Sequence, residues 1–247
     1  MTIPKFNIIT NKTDLNQIDF ISGATLLINK PLNWTSFDVV GKLRNLLRTK
    51  YQIKKIKVGH AGTLDPLATG LLIVCTGKST KKIDQLQGME KDYRAKIKLG
   101  AVTASYDREM VEEEKKDTGH INIQEVVDAA MSFRGESKQI PPMYSALKKN
   151  GKPLYKFARE GKVIKRDPRT IFVHDVGFIG FMNPYLELDL KVSKGTYIRT
   201  IANDLGNQLG VGGYLDGLVR TAIGPYKLSD ALEVTELIEK LKPQPQV

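Results

Sequence analysis

The sequence predicts an α+β domain. Residues 92–100 and 185–192 alternate apolar and polar side chains, as half-exposed strands do. The stretch after Pro31 spaces its apolar residues at helical intervals instead, and no internal repeat links the two kinds of element. With 41% apolar residues in 247, the chain can bury a substantial core, as one large domain or two small ones.

Residues 1–23 are polar, end at Ser22-Gly23, and read as an appended N-terminal arm. A short strand is expected over 24–29, stopping at Lys30-Pro31. Thr35 or Ser36 then caps a helix whose Val39, Val40, Leu43, Leu46 and Leu47 share one face. Residues 71–75 are a buried strand and 79–87 a short helix. Strand 92–100 turns Tyr93, Ala95, Ile97 and Leu99 to one side. The charged run 109–116 is a loop whose acids have no catalytic part. Asn122 caps a helix over 123–133 that stops at Gly135. Strand 185–192 buries Leu186, Leu188, Leu190 and Val192, and Ser193-Lys194-Gly195 turns it into a helix over 196–208. In that helix's first turn Arg199 sits among Ile198, Ile201 and Leu205, where a guanidinium wants a carboxylate partner. A strand over 214–222, a helix over 234–241 and a tail at 243–247 complete the chain, so the main domain runs 24–242.

There are 38 Lys and Arg against 27 Asp and Glu, a formal net charge of +11. That excess suits a polyanionic partner, of which nucleic acid is the usual one, although solubility alone could also use it. The charge is concentrated. Lys42, Arg44, Arg48, Lys50, Lys54, Lys55 and Lys57 follow one another with no acid between 42 and 57. They form either a solvated helix face or a phosphate-contacting surface. Residues 138–169 hold ten cations against Glu160 and Asp167, interleaved with Tyr144, Tyr155 and Phe157 and broken by Pro141-Pro142, Gly151 and Gly161. A basic, aromatic, glycine-punctuated insertion suits an RNA clamp, because RNA contact combines phosphate pairing with stacking.

One cysteine, Cys75, excludes an internal disulfide and a cysteine-based zinc site, and lies in an apolar run as a packing residue. His60, His120 and His174 are too scattered for a metal site. Residues 1–10 lack the apolar core of a signal peptide and no run approaches about 18 apolar residues, so a soluble, cytoplasmic protein is expected.

The densest chemical signal is Gly59-His60-Ala61-Gly62-Thr63-Leu64-Asp65-Pro66-Leu67-Ala68-Thr69-Gly70. Asp65 precedes a proline and is therefore disfavoured from helical backbone, so its carboxylate is displayed on an extended loop. The segment lacks the Gly-Lys-Ser/Thr ending of a phosphate loop, and there is no serine–histidine elbow. What remains for an enzyme is a cofactor-free reaction using one carboxylate.

From about residue 24 to 228 the chain resembles the TruB family of pseudouridine synthases, bacterial enzymes that isomerise uridine 55 in the T loop of tRNA. The resemblance rests on Lys30-Pro31, on the Gly59–Gly70 segment, on Tyr93, on 141–147, on Lys194-Gly195-Thr196-Tyr197-Ile198-Arg199-Thr200 and on Leu218-Val219-Arg220. It implies the pseudouridine-synthase fold: a mixed, largely antiparallel sheet with flanking helices and a basic thumb insertion at about 135–169. It implies Asp65 as the catalytic aspartate, Arg199 as its partner, Tyr93 as the tyrosine that stacks on the target base, and Leu218 as an apolar pocket residue. His60 matches the histidine that enters the T loop and helps extrude the uridine. Lys30, Lys148, Lys152, Tyr155 and Arg159 are the further RNA-binding candidates. No cofactor or metal, no membrane and no protein partner is implied, and nothing demands more than a monomer binding the tRNA T arm. Two departures stand out. Asn29 replaces the usual aspartate before Lys-Pro, and Trp34 is bulkier than the usual residue and adds a stacking or packing surface. The form is expected to lack the C-terminal PUA domain of longer members. A synthase acting on another RNA and an RNA chaperone using the same cleft remain the alternatives.

Overall fold

The computed structural model describes residues 8–242. In chain order the elements are β1 (Ile8–Ile9), β2 (Thr25–Lys30), α1 (Ser36–Tyr51), β3 (Val58–His60), β4 (Ala68–Thr76), α2 (Ile83–Gly88), β5 (Lys91–Leu99), α3 (Ile123–Met131), β6 (Gly135–Gln139) and β7 (Lys148–Lys149). They continue with β8 (Lys152–Pro153), α4 (Leu154–Arg159), β9 (Arg169–Met182), β10 (Tyr185–Val192), α5 (Ile198–Gln208), β11 (Gly213–Ile223), β12 (Tyr226–Lys227), β13 (Leu232–Glu233) and α6 (Val234–Leu241). Caps account for several ends. Thr35 accepts from Asp38 N–H while the Asp38 carboxylate accepts from Thr35 N–H, and Asn122 and Glu125 make the same reciprocal pair before α3.

The chain forms two compact units, residues up to 91 with 219 onward, and residues 92–218. No compositional break marks the division between these units.

In the first unit, β2 runs parallel to β1 and β13 and antiparallel to β4, which also pairs with β3. β2 and β4 are apolar at nearly every position because both faces of the sheet are covered. Leu26, Ile28, Leu72 and Val74 pack with Val39, Val40, Leu43 and Leu47 of α1 and Leu237 and Leu241 of α6. Leu27, Leu71, Ile73 and Cys75 form the other face with Leu86 and Ile223. Trp34 adds packing to the first of these clusters, and Asn29 donates to Glu233 Oε1 at 2.8 Å.

The described part of the expected arm belongs to this core. Ile9, Leu15 and Phe20 are buried, Ile9 pairs with Leu26 in the sheet, and Thr76 Oγ1 donates to the Phe20 carbonyl at 2.7 Å. Its apolar residues are few and irregularly spaced, so neither composition nor period revealed them. Residues 1–7 and the expected tail 243–247 lie outside the described residues. The helix expected over 79–87 divides into a 3-10 turn at Gly77–Lys82 and α2.

In the second unit β6 and β10 flank β9, both antiparallel, and β5 lies between β10 and the first half of β11. Strand β5 buries Tyr93, Ala95, Ile97 and Leu99, as its alternation predicts. Helix α5 buries Ile198, Ile201, Ala202 and Leu205 and approaches the following turn closely. A Cβ at Gly206 would stand 2.1 Å from Gly213 N, so only glycine fits.

Candidate active site

In the first unit the loop between β3 and β4 carries Asp65, and its carbonyls at Gly62, Thr63, Leu64 and Pro66 are each tied to a group outside it. Arg220, 1% exposed, donates from Nη2 to Gly62 O at 3.1 Å, from Nη1 to Thr63 O at 3.4 Å and from Nε to Leu71 O at 2.7 Å. Buried Ser36, at the start of α1, donates to Leu64 O at 3.1 Å and accepts from Leu64 N–H at 2.8 Å. The Asp65 carbonyl accepts from Ala68 N–H, and Pro66 O accepts from Asn33 N–H at 2.9 Å. Gly70 closes the loop with φ +104°, where a Cβ would stand 2.4 Å from Arg220 O. Asp65 itself is half-buried on this rigid support.

Lys30 completes the support, and this corrects its expected role. It is fully buried, and its ammonium donates to the carbonyls of Pro31 at 2.9 Å, Trp34 at 2.5 Å and Pro66 at 3.4 Å. Burial pushes it down to about 8, opposed by the nearby Asp65 charge. A buried ammonium already bonded to three carbonyls has no donor to offer a phosphate. It is a backbone clamp beside Asp65.

His60 ends β3, half-buried and opposite Val74. Burial first, and then the Arg220 charge, push its imidazole below the usual histidine value. Its Nδ1 is buried without a hydrogen-bond partner among the described residues.

In the second unit Tyr93 is buried on β5, Leu218 is half-buried on β11, and Arg199 opens α5. Arg199 is 6% exposed and donates to Ser105 O at 3.1 Å and Tyr144 O at 2.9 Å. Its Nη1 also lies 3.4 Å from Asp107 Oδ2. Asp107 is fixed in turn by the Ser105 hydroxyl at 2.6 Å and Glu109 N–H at 3.0 Å. Sequence reasoning foresaw that Arg199 needs a carboxylate but missed Asp107 as one, since it sits just ahead of the charged run 109–116 and has no motif of its own. Gln139 brackets Tyr197, accepting from its N–H at 2.8 Å and donating to its carbonyl at 3.1 Å.

The basic insertion follows β6. The Tyr144 carbonyl that receives Arg199 belongs to its root, and beyond it the β7–β8 hairpin turns at Asn150-Gly151, both at positive φ. Lys148 is exposed; Lys152 pairs with Glu160 and lies 4.6 Å from the Phe157 ring centroid. Arg159 lies 5.6 Å from the Tyr155 ring centroid and 3.8 Å from Glu109. The expected mixture of cations and rings is thus a set of defined cation–π pairs on a hairpin and a short helix.

No group of metal-ligating side chains occurs among the described residues, and none of their helices is long and apolar enough to cross a membrane.

Residues 45–198 match the family model described as TruB family pseudouridylate synthase (N terminal domain). The chain is 52% identical to tRNA pseudouridine synthase B of Chlorobium chlorochromatii, over 89% of this chain and 86% of that protein. It is 47% identical to the protein of the same name from Chlorobaculum tepidum, over 92% and 95%, and 44% identical to that of Parabacteroides distasonis, over 91% and 96%. In fold it is similar to a chain of the solved Cbf5-Nop10-Gar1 complex, with a TM-score of 0.68 and 25% identity. That match covers 97% of this chain but 60% of the solved one. Motifs, fold and relatives agree, and the chain belongs to the TruB family of pseudouridylate synthases.

Proposed function

We propose that this chain converts uridine 55 in the T loop of tRNA to pseudouridine, with Asp65 as the catalytic carboxylate. The observation that carries the reading is the loop around Asp65, tied carbonyl by carbonyl in a chain 44–52% identical to relatives named tRNA pseudouridine synthase B. The N1–C1′ bond breaks, the uracil turns, its C5 joins the ribose C1′, and the proton lost from C5 is matched by one gained at N1, so atoms balance without an added reactant. An ionised Asp65 serves either as nucleophile at C1′ or as the base that takes a proton from C2′. Arg199 supplies the positive charge that favours the ionised carboxylate. Tyr93 stacks on the uracil and Leu218 packs against it. A stacked uridine has no room to turn, so it must be extruded at a cost of a few kcal/mol. His60 takes the vacated space, and its lowered pKa suits a neutral ring there. Lys148, Lys152, Tyr155 and Arg159 grip the T arm. The reaction needs no cofactor, metal or protein partner, and we place it in the cytoplasm, performed by a monomer.

Incubation with unmodified tRNA, followed by mapping of pseudouridine, tests the reading. Wild type is expected to modify position 55, and Asp65→Asn to bind the tRNA yet leave it unmodified. Product from the variant, or modification of a different RNA only, overturns it.

A further inference from the structure

We infer that Phe37 and Arg44 on α1 form a stacking site for an unpaired RNA base, close to the loop that carries Asp65. The inference rests on the RNA-modifying function above and adds a subsite to it. Phe37 is 67% exposed, although it follows Ser36, which is 2% exposed and bonded to Leu64. The Arg44 guanidinium lies 5.9 Å from the Phe37 ring centroid, near the outer limit of a cation–π contact. Its Nη2 donates to the Val58 carbonyl at 3.1 Å, which ties the cation to β3 and fixes it beside the ring. The two residues are therefore anchored to both approaches of the catalytic loop, one through Ser36 and Leu64, the other through Val58.

The surroundings decide what the ring is for. A single exposed apolar side chain is ordinary. This one leads into the run of seven cations from Lys42 to Lys57, of which Lys42, Arg48, Lys54, Lys55 and Lys57 are exposed. The nearest acid, Asp38, already accepts from Thr35 N–H at 2.8 Å and Thr35 Oγ1 at 2.6 Å in the cap. An exposed aromatic ring with a guanidinium beside it, on a helix leading into an acid-free run of exposed cations, matches a nucleotide, whose base has a π-face and whose phosphates carry charge. An acidic peptide would meet the cations and leave the ring unused.

The test is titration of full-length protein with an unmodified tRNA transcript carrying 2-aminopurine at single unpaired T-loop positions, alongside heparin as a polyanion without bases. Phe37→Ala should weaken tRNA binding about tenfold, within the range for one lost base stack, and abolish quenching at one label. Heparin binding and thermal midpoint should stay unchanged, and Phe37→Trp should restore both affinity and quenching. Unaltered tRNA affinity in Phe37→Ala, or an equal loss for heparin, overturns the stacking site. Pseudouridine formation by wild type is scored in the same preparations. A wild type that modifies no tRNA overturns the underlying function, whereas an active wild type with an indifferent Phe37→Ala overturns the stacking site alone.

Discussion

Buried charge at Arg199 and Lys30 gives single side chains a measurable weight in stability. Arg199 and Asp107 are each only 7% exposed at the side chain, so removing one partner leaves a nearly dry charge behind. Asp107→Asn keeps the shape and one hydrogen-bond acceptor but removes the charge. We expect about 3 kcal/mol of lost stability and a single-turnover rate lower by about tenfold or more, with tRNA affinity largely kept. Stopped quench kinetics beside denaturant unfolding would check both. Lys30 makes a pH prediction. Folded, it loses its proton near pH 8; unfolded, it keeps it up to its ordinary value of 10.5. Between those values the unfolded chain binds more protons, so this group's contribution to stability rises with pH across the window and is level below it. Urea midpoints measured below and above the window should show that rise in wild type relative to Lys30→Met, whose buried side chain has no proton to lose.

At the scale of the element, the loop that carries Asp65 is held by groups far off in sequence, and β11 supplies the most distant of them. Arg220→Lys keeps the charge but cannot reach three carbonyls from one nitrogen in the fork geometry that arginine offers. The variant should lose about 2–4 kcal/mol of stability. It should also slow the chemical step more than it weakens tRNA binding, because the aspartate's support moves and the phosphate contacts do not. A kcat against KM comparison at a temperature where the variant stays folded separates this from simple unfolding. The elements themselves were largely legible in the sequence. The alternation in 92–100 and 185–192, the Asn122 cap and the helical spacing in α1 and α6 are local signals, and the strands and helices follow them closely. Residues 8–23 were not legible, because Ile9 and Phe20 are read as core only once β2 and β4 are there to receive them.

For the whole molecule, a net charge of +11 makes tRNA binding strongly salt-dependent. Plots of log affinity against log salt should be steep for wild type. Lys148→Ala, which removes an exposed cation whose ammonium has no partner among the described residues, should flatten the slope by about one unit and leave the rate at saturation unchanged. An unchanged slope would show that this part of the insertion touches no phosphate.

Asp65, His60, Tyr93 and Arg199 stand in motifs that can be read residue by residue, and periodicity alone marks most strands and helices. Sequence by itself therefore determined the family, the loop that displays the carboxylate and the basic character of residues 42–57 and 138–169. It could not say which charged side chains leave water. Lys30, at a strand end before a proline, looked like a surface cation. Arg220 stood only as part of the Leu218-Val219-Arg220 motif, with no partner assigned, and Asp107 drew no reading at all. Each is buried with at least one partner that the chain brings from a distance: Pro66 for Lys30, Arg199 for Asp107, and the β3–β4 loop for Arg220. Arg220 reaches Leu71 across 149 positions, and Arg199 reaches Ser105 across 94. Desolvating a charge is tolerable only where such partners converge, and only the tertiary structure brings them together.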